Sequence, residues 1–102
     1  MSELTAKQKK RLRGLAQRLD TVLTVGKEGI TEPVIGALSE LLDKRELIKV
    51  RLTGPSGDAR KEIAPKLAQA ADAACIAIIG KTAVLYRPNT DLEPSRRIDL
   101  SR

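Results

Sequence analysis

Residue type and spacing could do chemistry at two short glycine-containing segments of this 102-residue sequence. The first, Gly26-Lys27-Glu28-Gly29, is a GxxG placed between a predicted strand and a predicted helix. Two glycines let a backbone approach a phosphate closely, and a following helix aims its N-terminal N–H groups and positive dipole end at the same place. Lys27 adds a charge-assisted contact. The second, Gly80-Lys81-Thr82, resembles the end of a P-loop, but that motif needs a glycine five residues earlier, where Cys75 stands, and a helix afterwards. Apolar strand residues follow instead, so the P-loop reading fails. Gly54-Pro55-Ser56-Gly57 is another GxxG; it precedes a less regular helical segment, so position favours the first.

Other reactive constellations are missing. The chain has no histidine, which removes the commonest general base and metal ligand. Its single cysteine, Cys75, lies in an apolar stretch without a histidine partner and cannot make an internal disulfide. The acidic residues are scattered rather than paired. We expect no enzyme, no metal and no cofactor. No apolar run approaches the roughly 20 residues needed to cross a bilayer, and the basic N-terminus is not followed by an apolar stretch. A soluble, cytoplasmic protein is the expectation.

Charge gives a positive signal. Nineteen basic residues against 13 acidic leave +6, and residues 1–20 hold six basic and two acidic residues. A focused basic region is the footprint of a polyanionic ligand, nucleic acid before anionic membrane. Lys7, Lys9, Lys10, Arg11, Arg13 and Arg18 surround a narrow apolar arc of Leu12, Leu15, Ala16 and Leu19 on a predicted helix over Thr5–Leu19. No acidic i, i+4 partner relieves their repulsion, which points to a counter-charge from outside. With Tyr86 the one aromatic residue, domains that stack bases on exposed rings do not fit. Recognition of phosphate, sugar and shape remains, which suits structured RNA.

The elements that must position these groups follow from patterning. Thr21–Val25 reads as a β-branched strand ended by Gly26. Thr31 caps a second helix reaching about Arg45, with Pro33 tolerated in its first turn. Leu47–Leu52 is a half-exposed strand presenting Lys49 and Arg51 on one face. Gly54–Asp58 is a loop, and Ile63–Ala74 a third helix that Pro65 should kink or delay. Cys75–Ile79 and Thr82–Arg87 form a hairpin through a type II′ Gly80-Lys81 turn. The result is an α/β fold, one small mixed sheet with helices packed on it, in the order α-β-α-β-α-β-β. Residues 89–102 read as a loose tail in which Ile98 and Leu100 are able to add a short edge strand.

Four segments carry a resemblance to a known family: Thr5-Ala6-Lys7-Gln8-Lys9 with Leu12–Ala16, Val25–Thr31, Glu46–Val50, and Ile79–Pro88. Their order and spacing resemble the bacterial YhbY family, single-domain members of the CRM (chloroplast RNA splicing and ribosome maturation) group. The resemblance implies a domain over residues 1–88, with a fold similar to the C-terminal domain of translation initiation factor three. It also implies that Gly26, Lys27, Glu28 and Gly29 are the counterpart of the KH-domain loop that clamps a nucleic-acid backbone. By adjacency the role extends to Lys7, Lys9, Lys10, Arg11 and Arg13, and the patch to Lys49, Arg51, Lys81 and Arg87, with Arg87 equally readable as a strand-end surface charge. The partners implied are ribosomal RNA and pre-large-subunit particles, bound by a monomer with no membrane involved. A protein–protein adaptor on ribosomal particles, its basic face merely solubilising, stays open as the alternative.

Overall fold

A computed structural model describes residues 4–53 and 57–100; the 54–56 part of the expected Gly54–Asp58 loop lies outside the described residues, as do both chain ends. Helix α1 spans Ala6–Ala16 and opens with a capping box, in which the Thr5 hydroxyl accepts from the Gln8 amide and the Gln8 side chain accepts from the Thr5 amide. It stops short of Leu19 because Gln17, Arg18 and Leu19 donate to the carbonyls of Gly14, Leu15 and Ala16, tightening the last turn before the chain extends.

Strand β1 (Thr21–Val25) leads through the GxxG loop into α2 (Glu32–Arg45), capped by Thr31 with Pro33 in the first turn. At its far end Glu46 adopts φ 55 and ψ -39, a positive-φ conformation that L side chains rarely take, and turns the chain straight into β2 (Leu47–Leu52). Helix α3 spans Gly57–Ala70, beginning earlier than Ile63 and ending before Ala74. Pro65 lies inside it, on an exposed turn where the Lys61 carbonyl can forgo its helix partner in favour of water. Strands β3 (Ala74–Ile79) and β4 (Thr82–Tyr86) complete the sheet. Of the two hairpin turn residues Gly80 alone has positive φ, at 59, as a II′ turn requires.

The strand order is β1-β2-β4-β3, with β1 parallel to β2 and the other pairs antiparallel. One face carries the larger core, where Val25, Val50, Leu52 and Leu85 meet Leu38 and Leu42 of α2 and Ala64 and Leu67 of α3. The other face packs Leu47, Val84 and Tyr86 against Leu12 and Ala16 of α1. Each fully buried leucine contributes roughly 1.5–3 kcal/mol. A bulge between Cys75 and Ala77 turns Ile76 toward the α1 side while Cys75 and Ile78 stay on the larger core.

The C-terminal segment is not the loose tail expected, and among residues 89–100 no edge strand forms. A 3-10 turn at Pro94–Arg96 instead brings Ile98 and Leu100 onto the α1-side core. The buried Glu46 carboxylate holds the segment there: it accepts from the amides of Asn89 (2.6 Å) and Ile98 (2.7 Å), and Arg97 pairs with it at 3.5 Å.

Candidate nucleic-acid interface

The parallel β1–β2 pairing and the antiparallel β4 bring three connections to one end of the sheet: the 26–31 loop, the chain after Leu52, and the Gly80-Lys81 turn. Backbone bonds tie them together, with the Leu52 amide donating to the Lys81 carbonyl (2.6 Å) and the Thr53 amide to the Val25 carbonyl (3.0 Å). Lys27 and Lys81 therefore share this end, and Arg51, one residue from the end of β2, lies just below them.

The GxxG is a β-turn closed by the Gly29 amide donating to the Gly26 carbonyl at 3.1 Å, with Lys27 and Glu28 exposed at its corners. Gly29 has φ +68, where a side chain costs about 1 kcal/mol, so glycine there follows from the backbone. Gly26 has no such need, and a Cβ at either glycine would meet open space. Ile30 packs on the larger core and anchors the loop. The amides of Lys27 and Glu28 donate to nothing among the described residues.

The α2 N-terminus offers less than the sequence implied. Pro33 has no N–H, Val34 donates to the Thr31 hydroxyl (3.3 Å), and Ile35 donates to the Thr31 carbonyl (3.0 Å). That leaves the Glu32 amide, beside its own carboxylate. Phosphate contact at this loop must therefore come from the turn amides and the Lys27 ammonium rather than from a cluster of helix N–H groups.

Helix α1 lies across the opposite side of the sheet from α2 and α3, and its Ala16-Gln17 end reaches Ile79 and Thr82 near the loop end. Lys7, Lys10 and Arg18 line one shallow flank with Gly14 and the 37% exposed Leu15. Lys9, Arg13 and Gln17 line the other flank, above Ile76. Lys7, Lys9, Lys10, Arg13 and Arg18 are all exposed, and their side chains bond to nothing among the described residues. Gln17 and Leu15 thus join this surface, as does Arg18, which the sequence placed among the helix cations without counting it a site residue. Helical spacing of 7, 10, 14 and 18 puts it on the flank of Lys7 and Lys10.

Three predicted site residues are committed elsewhere. Arg87 is the clear correction: its guanidinium donates to the Ala71 carbonyl (2.8 Å), to the Ser39 carbonyl (2.9 Å) and hydroxyl (3.3 Å), and to Asp43 (2.6 Å). It clamps α2 to the end of α3 on the side of the sheet away from α1. Arg11 is half-buried, its Nε donating to the Asp99 carbonyl at 2.8 Å, so it holds the C-terminal segment. Lys49 is half-buried too, its ammonium donating to the Leu19 carbonyl at 3.1 Å where α1 turns into β1. Tyr86, 3% exposed in the α1-side core, offers no ring for base stacking.

Among the described residues no group of three or more His, Cys, Asp or Glu is placed to hold a metal ion, and no helix is long and apolar enough to cross a membrane. Burial raises the Cys75 thiol above its ordinary 9.0 despite the opposing charge of Lys9, which makes it a poor nucleophile.

Comparison with known proteins agrees with the fold. Residues 4–87 match the CRS1/YhbY (CRM) domain. An RNA-binding protein of Haemophilus influenzae is 36% identical over 91 residues, covering 89% of this chain and 92% of that protein. A Bacillus subtilis protein named a probable RNA-binding protein, YqeI, is 34% identical over 88 residues, covering 86% of this chain and 92% of its own. A Staphylococcus aureus protein solved in solution, described as a candidate RNA-binding protein, superposes with a TM-score of 0.79 at 37% identity, covering 89% of this chain and 95% of that one. The chain therefore belongs to the CRS1/YhbY (CRM) domain family.

Proposed function

We propose that this protein binds structured ribosomal RNA through its sugar-phosphate backbone and assists assembly of the large ribosomal subunit, acting as a cytoplasmic monomer without catalytic turnover. The observation that carries the proposal is the set of exposed cations without internal partners on α1, joined by Lys27 and Lys81 at the adjoining end of the sheet. Cations left in water against their mutual repulsion are what a phosphate backbone neutralises. The related RNA-binding proteins support RNA as the polyanion. The buried Tyr86 supports backbone over base recognition.

Within this reading the GxxG turn clamps one stretch of backbone. Lys27 and the free turn amides meet a phosphate, and the bare Gly26 and Gly29 surfaces let it close in. The α1 cations then hold the neighbouring strand or groove, supplying affinity and orientation rather than sequence readout.

Binding of the purified chain to naked large-subunit RNA fragments tests the proposal, alongside in-cell crosslinking and sequencing of the attached RNA. Crosslinks concentrated in large-subunit RNA, with Gly29→Asp losing naked-RNA affinity at a temperature where the variant remains folded, are expected. An adaptor would join ribosomal particles while leaving naked RNA unbound, and that result would overturn the assignment.

A further inference from the structure

Helix α1 covers only part of its face of the sheet. The row Lys49–Val84–Ala77 lies under it, with Val84 fully buried and Lys49 capped by Leu19. The next row toward the loop end is uncovered. It runs in register across all four strands: Thr24 on β1 pairs with Arg51 on β2, Arg51 with Thr82 on β4, and Thr82 with Ile79 on β3. Their chain neighbours Val25, Leu52, Ala83 and Ile78 face the larger core, so these four face the α1 side. Thr24 and Arg51 are exposed, Thr82 half-buried, and Ile79 51% exposed.

Neither threonine hydroxyl nor the Arg51 guanidinium has a partner among the described residues. Gln17, at the end of α1, closes the row on its inner side together with Ile79 and Thr82. No acidic side chain stands in the row, and Lys27 and Lys81 lie at its outer edge.

We propose that this cross-strand row is a ribose-reading surface, in which the Thr24 and Thr82 hydroxyls bond the 2′-OH groups of an RNA strand whose phosphates meet Arg51. The inference rests on the RNA-binding reading above and adds what selects RNA over DNA. Phosphates alone would be served by cations, as on α1. Hydroxyls on both sides of an arginine, on strands about 5 Å apart, instead offer sugar contacts on either side of a phosphate contact. A threonine hydroxyl both donates and accepts, as a 2′-OH does, and the 2′-OH is the group by which a protein tells RNA from DNA. Ile79 gives the sugar an apolar edge to rest on. Arg51 neutralises the backbone that would pass from the 26–29 turn toward the end of α1.

The test uses the full chain with an RNA hairpin and the all-deoxy hairpin of the same sequence, compared by fluorescence anisotropy in one buffer. Wild type is expected to prefer RNA. Thr24→Val with Thr82→Val keeps the β-branched shape and the fold while removing both hydroxyls. It should weaken RNA binding about tenfold and leave DNA binding unchanged. Thr24→Ser with Thr82→Ser should retain the preference, whereas Lys27→Ala should weaken both hairpins in equal proportion. A valine pair with the wild-type RNA-to-DNA ratio, or a serine pair that loses the preference as fully as the valine pair, overturns the ribose role alone. Failure of wild type to bind the RNA hairpin overturns it together with the RNA-binding assignment.

Discussion

At the scale of single residues, two charged side chains show how position separates structure from function. Glu46 is fully buried and holds the amides of Asn89 and Ile98 together with Arg97. Replacing Glu46 with Ala leaves those donors unsatisfied and is expected to cost about 2–4 kcal/mol in urea unfolding. Arg87→Lys should cost roughly 1–3 kcal/mol, because a lysine cannot reproduce its four bonds, while RNA affinity at a temperature where the variant is folded stays at the wild-type value. Loss of RNA affinity in folded Arg87→Lys would restore that residue to the interface. The Cys75 thiol supplies a pH-dependent prediction. Burial favours its neutral form in the folded chain, so its contribution to stability is present below the unfolded value near 9.0 and lost as the pH rises through the higher folded value. Tyr86, raised chiefly by burial and further by Glu46, acts in the same sense from 10.0 upward. Urea midpoints should fall above about pH 9, less steeply in Cys75→Ala; equal slopes would contradict the thiol's part. Lys27 was legible as an exposed turn cation because its glycines and its place before a helix are local. Arg87 was not: in the sequence it is one more base beside a hairpin, and its partners lie 16 to 48 residues away.

At the scale of elements, α1 carries the cations and half of one core, so its two roles can be separated by face. Lys7→Gln, Lys10→Gln and Arg18→Gln together leave Leu12 and Ala16 in place and should keep the melting temperature. They should reduce the slope of log affinity against log salt by about two to three when each cation meets one phosphate. The C-terminal segment belongs to the fold rather than trailing from it. Truncation after Pro88 strips Ile98 and Leu100 from the α1-side core and orphans Glu46, and should destabilise the domain by about 3 kcal/mol or more, read by thermal or urea unfolding. The sequence showed the period of each helix and strand, and so the α/β class, with three helices against a four-stranded mixed sheet. It hid the docking of residues 89–100, because the signal that matters is a buried carboxylate waiting in another element. Gln17–Leu19, which carried the helical spacing past Ala16, gave way to a tight turn where the chain had to enter β1.

For the whole molecule, residues 1–20 hold six basic and two acidic residues of a chain whose net charge is +6, and the fold decides which cations elsewhere join them. Exposed cations without partners among the described residues line α1 and one end of the sheet, with Lys44, Arg45, Lys61, Lys66 and Arg96 exposed elsewhere, whereas Arg87 and Arg11 are absorbed as internal ties. That sorting required the strand order β1-β2-β4-β3, which the linear sequence does not display. The most direct measurement of the central claim is the affinity for one structured fragment of large-subunit RNA across a salt series, for wild type, Lys27→Ala and the α1 triple variant. Wild-type affinity should fall steeply with salt, the triple variant should show a shallower slope, and Lys27→Ala should bind more weakly at every salt concentration. Identical affinities and slopes for all three proteins would contradict that claim.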